Sequence, residues 1–297
     1  MPEDSRKRSD TGRGRAEGWR FAKTTGHEHE ESVASRLRTD LMFADTLAVE
    51  CFGEPLGLPK EITGGGASEA RISDVFGGNT NGKPDLYVVW PSGHRVQVSL
   101  KKSSSGQAFL TSVDRFVDGF AKQFGRVVPN DVHQCLELFI GGDLIRIQTA
   151  LRGRPVLGPI HRGTSRSLEE HQNRLVGATL QEYFPSQWNA TIQWITDEIG
   201  NIADFVFARG YARESINFAS HIWYLGIDST TNRNHVFSVS EIVAGSTRSR
   251  AEVRVGERNG GSTIQLPFGF LQMHSPKGHN LMQFHHSFDK VDGLTSM

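Results

Sequence analysis

The sequence predicts an α/β (α+β) chain: a mixed sheet flanked by helices, with an additional C-terminal α+β lobe. Three observations carry that reading. Two strand-like runs, PDLYVVW and HRVQVSLKK, are joined by the turn residues Pro91, Ser92 and Gly93. Apolar stripes at helical spacing precede and follow them. Beyond residue 200 the chain breaks into short, β-rich runs punctuated by Asn232, Gly245, Asn259 and Gly260.

Residues 1–26 form a basic tail, SRKRSDTGRGR included, with too few apolar side chains to bury a core; disorder is expected there. From His27 to Phe52 the stripe Val33, Leu37, Leu41, Leu47, Val49 predicts a helix, with Glu28, Glu30, Glu31 and Glu50 on or beside it. Pro55, Pro59 and Gly64-Gly65-Gly66 mark a loop. The glycine run is not followed by the Lys-Ser/Thr of a phosphate-binding loop, so no nucleotide cofactor is expected. Glu69 and Asp74 flank a short strand-like ARISDVF.

Next comes the hairpin from Gly82 to Lys102. Asp85 opens its first strand and Lys101 lies near the end of its second, so antiparallel pairing brings the two together. Alternation puts Gln97, Ser99 and Lys101 on one face and Val96, Val98 and Leu100 on the other. A carboxylate suits a hard cation, and an adjacent ammonium can orient water and offset developing charge. Leu110, Val113, Phe116, Val117, Phe120 and Phe124 predict the following helix, which carries Asp114 and ends at Gly125. HQCLELFIGG is expected to be a buried strand. The order is then helix, three strands, helix, strand.

Residues 143–165 are a basic loop holding Arg146, Arg152, Arg154 and Arg162. A helix is expected from Ser167 to Tyr183, opened by a Ser-x-x-Glu capping box, and another from Trp188 to Glu198. NIADFVFARG, FASHIWYLGI, HVFSVSEIVA, AEVRVGER and STIQLPFGFLQMH are expected strands. The domain reading is a 1–26 tail, a 27–150 core and a 151–297 lobe.

Net charge is zero, so affinity for nucleic acid must come from local patches. The two cysteines, Cys51 and Cys135, sit in apolar surroundings and make no disulfide framework, which suits a reducing cytoplasm. No run spans a bilayer and no signal-peptide pattern opens the chain. A soluble cytoplasmic protein is expected.

At Pro84-Asp85 and Lys101, on adjacent strands, the chain resembles the PD-(D/E)XK nuclease superfamily and, within it, the type II restriction endonucleases. The order of elements over 27–142 is also similar. The middle acid of the pattern is absent: Ser99 stands in its place, as in some restriction enzymes with Ser-x-Lys. The resemblance implies a restriction-endonuclease-like fold and Mg²⁺-dependent, sequence-specific cleavage of double-stranded DNA. Asp85, Ser99 and Lys101 would be catalytic, and Asp85, Glu69 and Asp114 would be the metal ligands, with the glutamates of the first helix as further candidates. The C-terminal lobe would serve recognition and dimerisation, with Lys102, Gln107, Arg162, Arg248, Arg250 and Arg254 on DNA. A homodimer suits palindromic targets.

Two other readings compete. A nuclease fold that binds DNA without cutting fits the missing acid. An HNH-type nuclease would use the C-terminal His274, His279, Asn280, His285 and His286, although their spacing departs from that motif. The plainer reading of these histidines is a final strand and loop in which they pack or hydrogen-bond.

Overall fold

The structure, a computed structural model, describes residues 28–64, 71–141, 149–150, 174–225, 235–274 and 280–296. The basic tail and most of the basic loop therefore lie outside the described residues, as do Glu69 and Arg162.

Helix α1 covers 28–39 and α2 Leu41–Phe52. Asp40 separates them. Its backbone is extended, and its Oδ1 accepts the Phe43 amide at 3.1 Å, capping α2. The pair buries Val33, Leu37, Phe43 and Leu47 against Leu86, Val88, Val96, Val98, Leu100 and Trp223.

That apolar surface is one face of the first sheet. Its strands are β1 (Glu61–Gly64), β4 (Leu86–Val89), β5 (Arg95–Lys101), β7 (His221–Tyr224) and β8 (His235–Ser238), in the order β1-β4-β5-β7-β8. Strands β5 and β7 run parallel, while the other pairs are antiparallel. A parallel neighbour requires a crossover, and here the crossover is the long stretch between Lys101 and His221. The sheet is thus mixed and flanked by helices, as the sequence predicts. The small strands β2 (Ile72–Ser73) and β3 (Asn79–Thr80) pair with each other beside it.

A second, antiparallel sheet has the order β6-β12-β11-β10-β9. It contains β6 (Ser105–Thr111), β9 (Arg254–Val255), β10 (Thr263–Leu266), β11 (Gly269–His274) and β12 (Leu281–Ser287). Each sheet combines strands from both sides of residue 150. Between them lies a core of Phe116, Phe120, Phe139, Trp188, Phe205, Phe268 and Phe284.

Helix α3 (Val113–Phe124) has the expected stripe. Ser112 caps its start, and Gly125 ends it with φ 65°, a left-handed value suited to glycine. Then the structure departs from the sequence reading. HQCLELFIGG is not a strand but most of α4 (Asn130–Ile140). Val132, Cys135, Leu136 and Phe139 are buried at helical spacing, which a short apolar run does not distinguish from a strand. NIADFVFARG is also helical: α7 (Ile199–Asp204) passes into a π-helical turn, Phe205–Arg209. Ile202, Ala203, Phe205, Val206 and Phe207 are all buried, so no polar side marks the period. HVFSVSEIVA is strand only to Ser238, and α8 (Val239–Arg248) follows. AEVRVGER keeps two strand residues, Arg254 and Val255.

The helix expected from Ser167 to Tyr183 is shorter: residues 174–176 are not helical, with Val176 extended (φ −90°, ψ 165°), and α5 covers only Gly177–Tyr183. Next comes α6 (Pro185–Asp197), close to the expected span. The chain closes with α9 (Phe288–Thr295). Among the described residues, no helix is long and apolar enough to cross a membrane. Cys135 is buried and Cys51 half-buried, both as free thiols.

Candidate active site

The antiparallel register of β4 and β5 pairs Leu86 with Val98, which sets Asp85 across from Ser99 one step further. The Asp85 amide donates to Val98 O at 2.8 Å. Its carboxylate Oδ2 accepts the Leu100 amide at 2.6 Å and the Ser99 hydroxyl at 3.2 Å. Lys101 Nζ donates to Ser99 Oγ at 2.8 Å and to Leu100 O at 3.3 Å. The Ser99 hydroxyl therefore links lysine to carboxylate, accepting from one and donating to the other. Ser99 is 4% exposed, so this link is shielded from solvent. Among the described residues, no donor bonds Asp85 Oδ1.

Gly64, at the end of β1, pairs with Leu86 and has φ 89°. A Cβ there would lie 2.4 Å from Asp85 O. Only glycine fits this close approach, so the backbone under Asp85 is held from the β1 side as well.

Three further groups enter from elsewhere. Lys83 Nζ donates to Ala108 O at 3.0 Å and stands 5.0 Å from the Phe109 ring centre. Burial, then the charge of Lys101, pushes its amine down to about 7, against the opposing pull of Asp85. His286 on β12 is buried and bonded through Nδ1 to the Tyr224 hydroxyl at 2.9 Å. Burial, followed by Lys101, His285 and Lys83, pushes this imidazole down to about 3. From α1 comes His29, whose pKa is lowered by burial and by Lys102, with Asp85 acting in the other direction. Among the described residues, its buried Nε2 has no hydrogen-bond partner.

The second carboxylate group lies on helices. Asp114 Oδ1 is 2.8 Å from His133 Nε2, and Glu137 Oε1 is 3.9 Å from the same nitrogen. Among the described residues, Asp114, His133 and Glu137 are the three donors spaced to hold one cation, with ligand atoms within 4.8 Å of one another. Asp85 and the C-terminal histidines are not in that group.

Of the residues singled out from sequence, Asp85, Ser99 and Lys101 meet. Lys102 is exposed just beyond them. Gln107 on β6 accepts a hydrogen bond from Gln283 at 3.0 Å. Arg248 donates to Leu294 O at 3.1 Å, tying α8 to α9. Arg250 and Arg254 are exposed. His285 stacks on Phe270 at 4.4 Å and bonds Gln272, so both His285 and His286 pack and hydrogen-bond within their sheet.

Lys83 and His286, both of which feel the charge of Lys101, were missed, although each left a trace in the sequence. His286 shares the inward parity of Met282 and Phe284 on β12. Lys83 directly precedes Pro84-Asp85.

No family model matches the chain, and no curated protein matches it. Among solved structures, the chain is similar to the restriction endonuclease MspI in complex with its cognate DNA. The identity is 11% and the TM-score 0.45, covering 91% of this chain and 88% of that one. At that distance no residue role passes from one to the other.

Proposed function

We propose that the chain is a Mg²⁺-dependent, sequence-specific endonuclease of double-stranded DNA, of the type II restriction kind. The observation that carries this reading is the Asp85–Ser99–Lys101 chain on adjacent strands, with contacts of 3.2 and 2.8 Å. The donors fit a hard cation, since Asp85 is fixed through Oδ2 while Oδ1 accepts no bond from a described residue. When bound, such an ion would lower the pKa of water and offset charge at phosphorus.

The chain's own residues supply the rest. Asp85 would hold the ion, since the Leu100 amide and Ser99 hydroxyl clamp its carboxylate. Lys101, steered by Ser99, orients the attacking water and pairs with the phosphate oxygens. Of the two further acids named from the resemblance, Glu69 belongs to the proposal, whereas Asp114 turns to His133. Lys102, Gln107, Arg162, Arg248, Arg250 and Arg254 are proposed DNA contacts, with arginine suited to guanine and glutamine to adenine. A homodimer would match a palindromic site, and light scattering on the purified protein measures that directly.

Supercoiled plasmid with and without Mg²⁺ tests the central claim. Wild type should linearise it only with the ion, and fragment ends from a sequenced phage genome should then share one motif. Equal cutting by Asp85→Ala and Lys101→Ala would sink the assignment. The absent acid at Ser99 favours one other reading, a DNA-binding protein that does not cut; gel retardation without cleavage would establish it.

A further inference from the structure

The two faces of the second sheet differ in chemistry. Ile264, Leu266, Leu271, Met282 and Phe284 belong to the core. By strand alternation and register, Arg254, Gln265, Phe270, Gln272, Gln283 and His285 share the opposite face. Among the described residues, no strand position on that face is a carboxylate. Gln107 joins it through a β-bulge. Phe284 pairs with Phe109 and His285 with Gln107, so Ala108 is the extra residue of β6. Without the bulge, Gln107 would stand opposite His286 and face the core. With it, Gln107 stands opposite His285 and is exposed. The bulge carbonyl, Ala108 O, accepts Lys83 Nζ at 3.0 Å. Lys83 leads into Pro84-Asp85, and β6 begins just after Lys101 at Ser105. The bulge is thus tied to the strand ends that hold Asp85 and Lys101.

A row of side-chain amides crosses three strands from there. Gln283 Nε2 donates to Gln107 Oε1 at 3.0 Å, and Gln272 Nε2 donates to Gln283 Oε1 at 2.9 Å. Gln272 Nε2 also lies 3.0 Å from His285 Nε2. An amide nitrogen only donates, so the imidazole nitrogen accepts. That ring is stacked on Phe270, which anchors the row. The direction of donation is therefore set along the row and ends at Gln107. Among the described residues, Gln107 Nε2 donates to none, and its Oε1 keeps a second lone pair.

We propose that this face reads the base edges of duplex DNA, with Gln107 reading an adenine and Gln272 and Gln283 as positioning residues that hold its amide in one orientation. This rests on the DNA-cleaving reading above. Adenine offers an acceptor at N7 and a donor at N6 in the major groove, which match Gln107 Nε2 and the second lone pair of Oε1. Guanine offers acceptors at both N7 and O6, and Oε1 would oppose one of them. The row orders an exposed glutamine in advance, so less side-chain freedom is lost on binding. A face without carboxylates does not repel phosphates, and Arg254 is placed to meet one.

The test uses the full chain and duplexes with a randomised segment, selected by cutting with wild type and by binding with Asp85→Ala. The selected sequences should share a motif containing an adenine. Replacing that adenine by 7-deazaadenine removes N7 alone and should weaken wild-type binding about 10- to 100-fold. Gln107→Ala should show a similar loss on the ordinary site and no further loss on the modified one. Gln107 is exposed, so this variant should unfold at the wild-type midpoint. Gln283→Leu should blur the base preference at that position and keep it at the others, a pattern that a general loss of stability does not produce. A motif without adenine, or a Gln107→Ala protein that keeps its preference at every position, overturns the proposal. Full preference in Gln283→Leu overturns the positioning role. None of these outcomes touches the nuclease reading, which falls separately if Asp85→Ala cuts like wild type; selection by binding then still decides the role of Gln107.

Discussion

Asp85 and Asp114 are both carboxylates facing a nitrogen base, yet the chain holds them in opposite ways. Asp85 sits at the mouth of a strand pair. Its Oδ2 is fixed by a backbone amide and a buried hydroxyl, and Gly64 closes on its carbonyl from below. Asp114 stands in the first turn of α3 with its side chain 71% exposed, meeting His133 across a helix pair. The first arrangement is set by backbone and register, so its geometry survives solvent fluctuation. The second is an exposed pair between two side chains, which water and salt screen. Pre-organisation, more than donor type, separates a site able to do chemistry from one able at most to bind.

The largest expected effect falls on the first group. Asp85→Ala or Lys101→Ala should lower plasmid cleavage by about 10³-fold or more, with unfolding midpoints near wild type. A loss below ten-fold in either variant would break the contrast, because the strand-built site would then be no more committed to chemistry than the exposed one.

Ser99→Ala comes next. It removes the hydroxyl between Lys101 and Asp85 but leaves the Leu100 amide on the carboxylate. Cleavage should fall by roughly 10- to 100-fold, the span of a hydrogen bond to a charged group. Single-turnover rates with saturating DNA measure it. A loss as large as that of Lys101→Ala would mean that Ser99 does more than steer.

The legibility of these two groups in the sequence differs for a physical reason. Asp85, Ser99 and Lys101 lie within one hairpin, where a period of two and a turn fix who faces whom; those contacts could be read before any coordinates. The second acid could not. Its candidates lie on separate elements, and Asp114 turns to His133 of α4, a segment that reads as a strand from its apolar run. Likewise His286 comes to the Tyr224 hydroxyl only through the packing of β12, which no local pattern encodes. The mixed sheet was legible from its β-rich hairpin, whereas α7 was not, since a helix buried on every side carries no amphipathic signal.

Lys83 sharpens the comparison through pH. Its folded value of about 7 lies below the ordinary 10.5, so between those values the unfolded chain binds the extra proton. Stability from this group is lowest at and below pH 7 and rises with pH toward 10.5. Urea midpoints of wild type should therefore climb more steeply from pH 7 to 10 than those of Lys83→Met. Parallel slopes would show that Lys83 is solvated and not part of the desolvated ground around Asp85. His286 runs the same way at lower pH. With a folded value of about 3 against 6.5, the stability that its neutral ring contributes is lost as pH falls through that window.

The smallest effect belongs to the helical group. Asp114→Ala and His133→Ala each remove one side of an exposed contact. They should cost under about 1 kcal/mol in unfolding free energy and leave cleavage with Mg²⁺ within about three-fold of wild type. Because the donors Asp114, His133 and Glu137 are spaced for one ion, the same variants should be compared with added Zn²⁺. A thermal shift in wild type that vanishes in His133→Ala would make this a binding site in its own right, separate from cutting. A cleavage loss near that of Asp85→Ala would instead make Asp114 the missing acid and erase the distinction between the two groups.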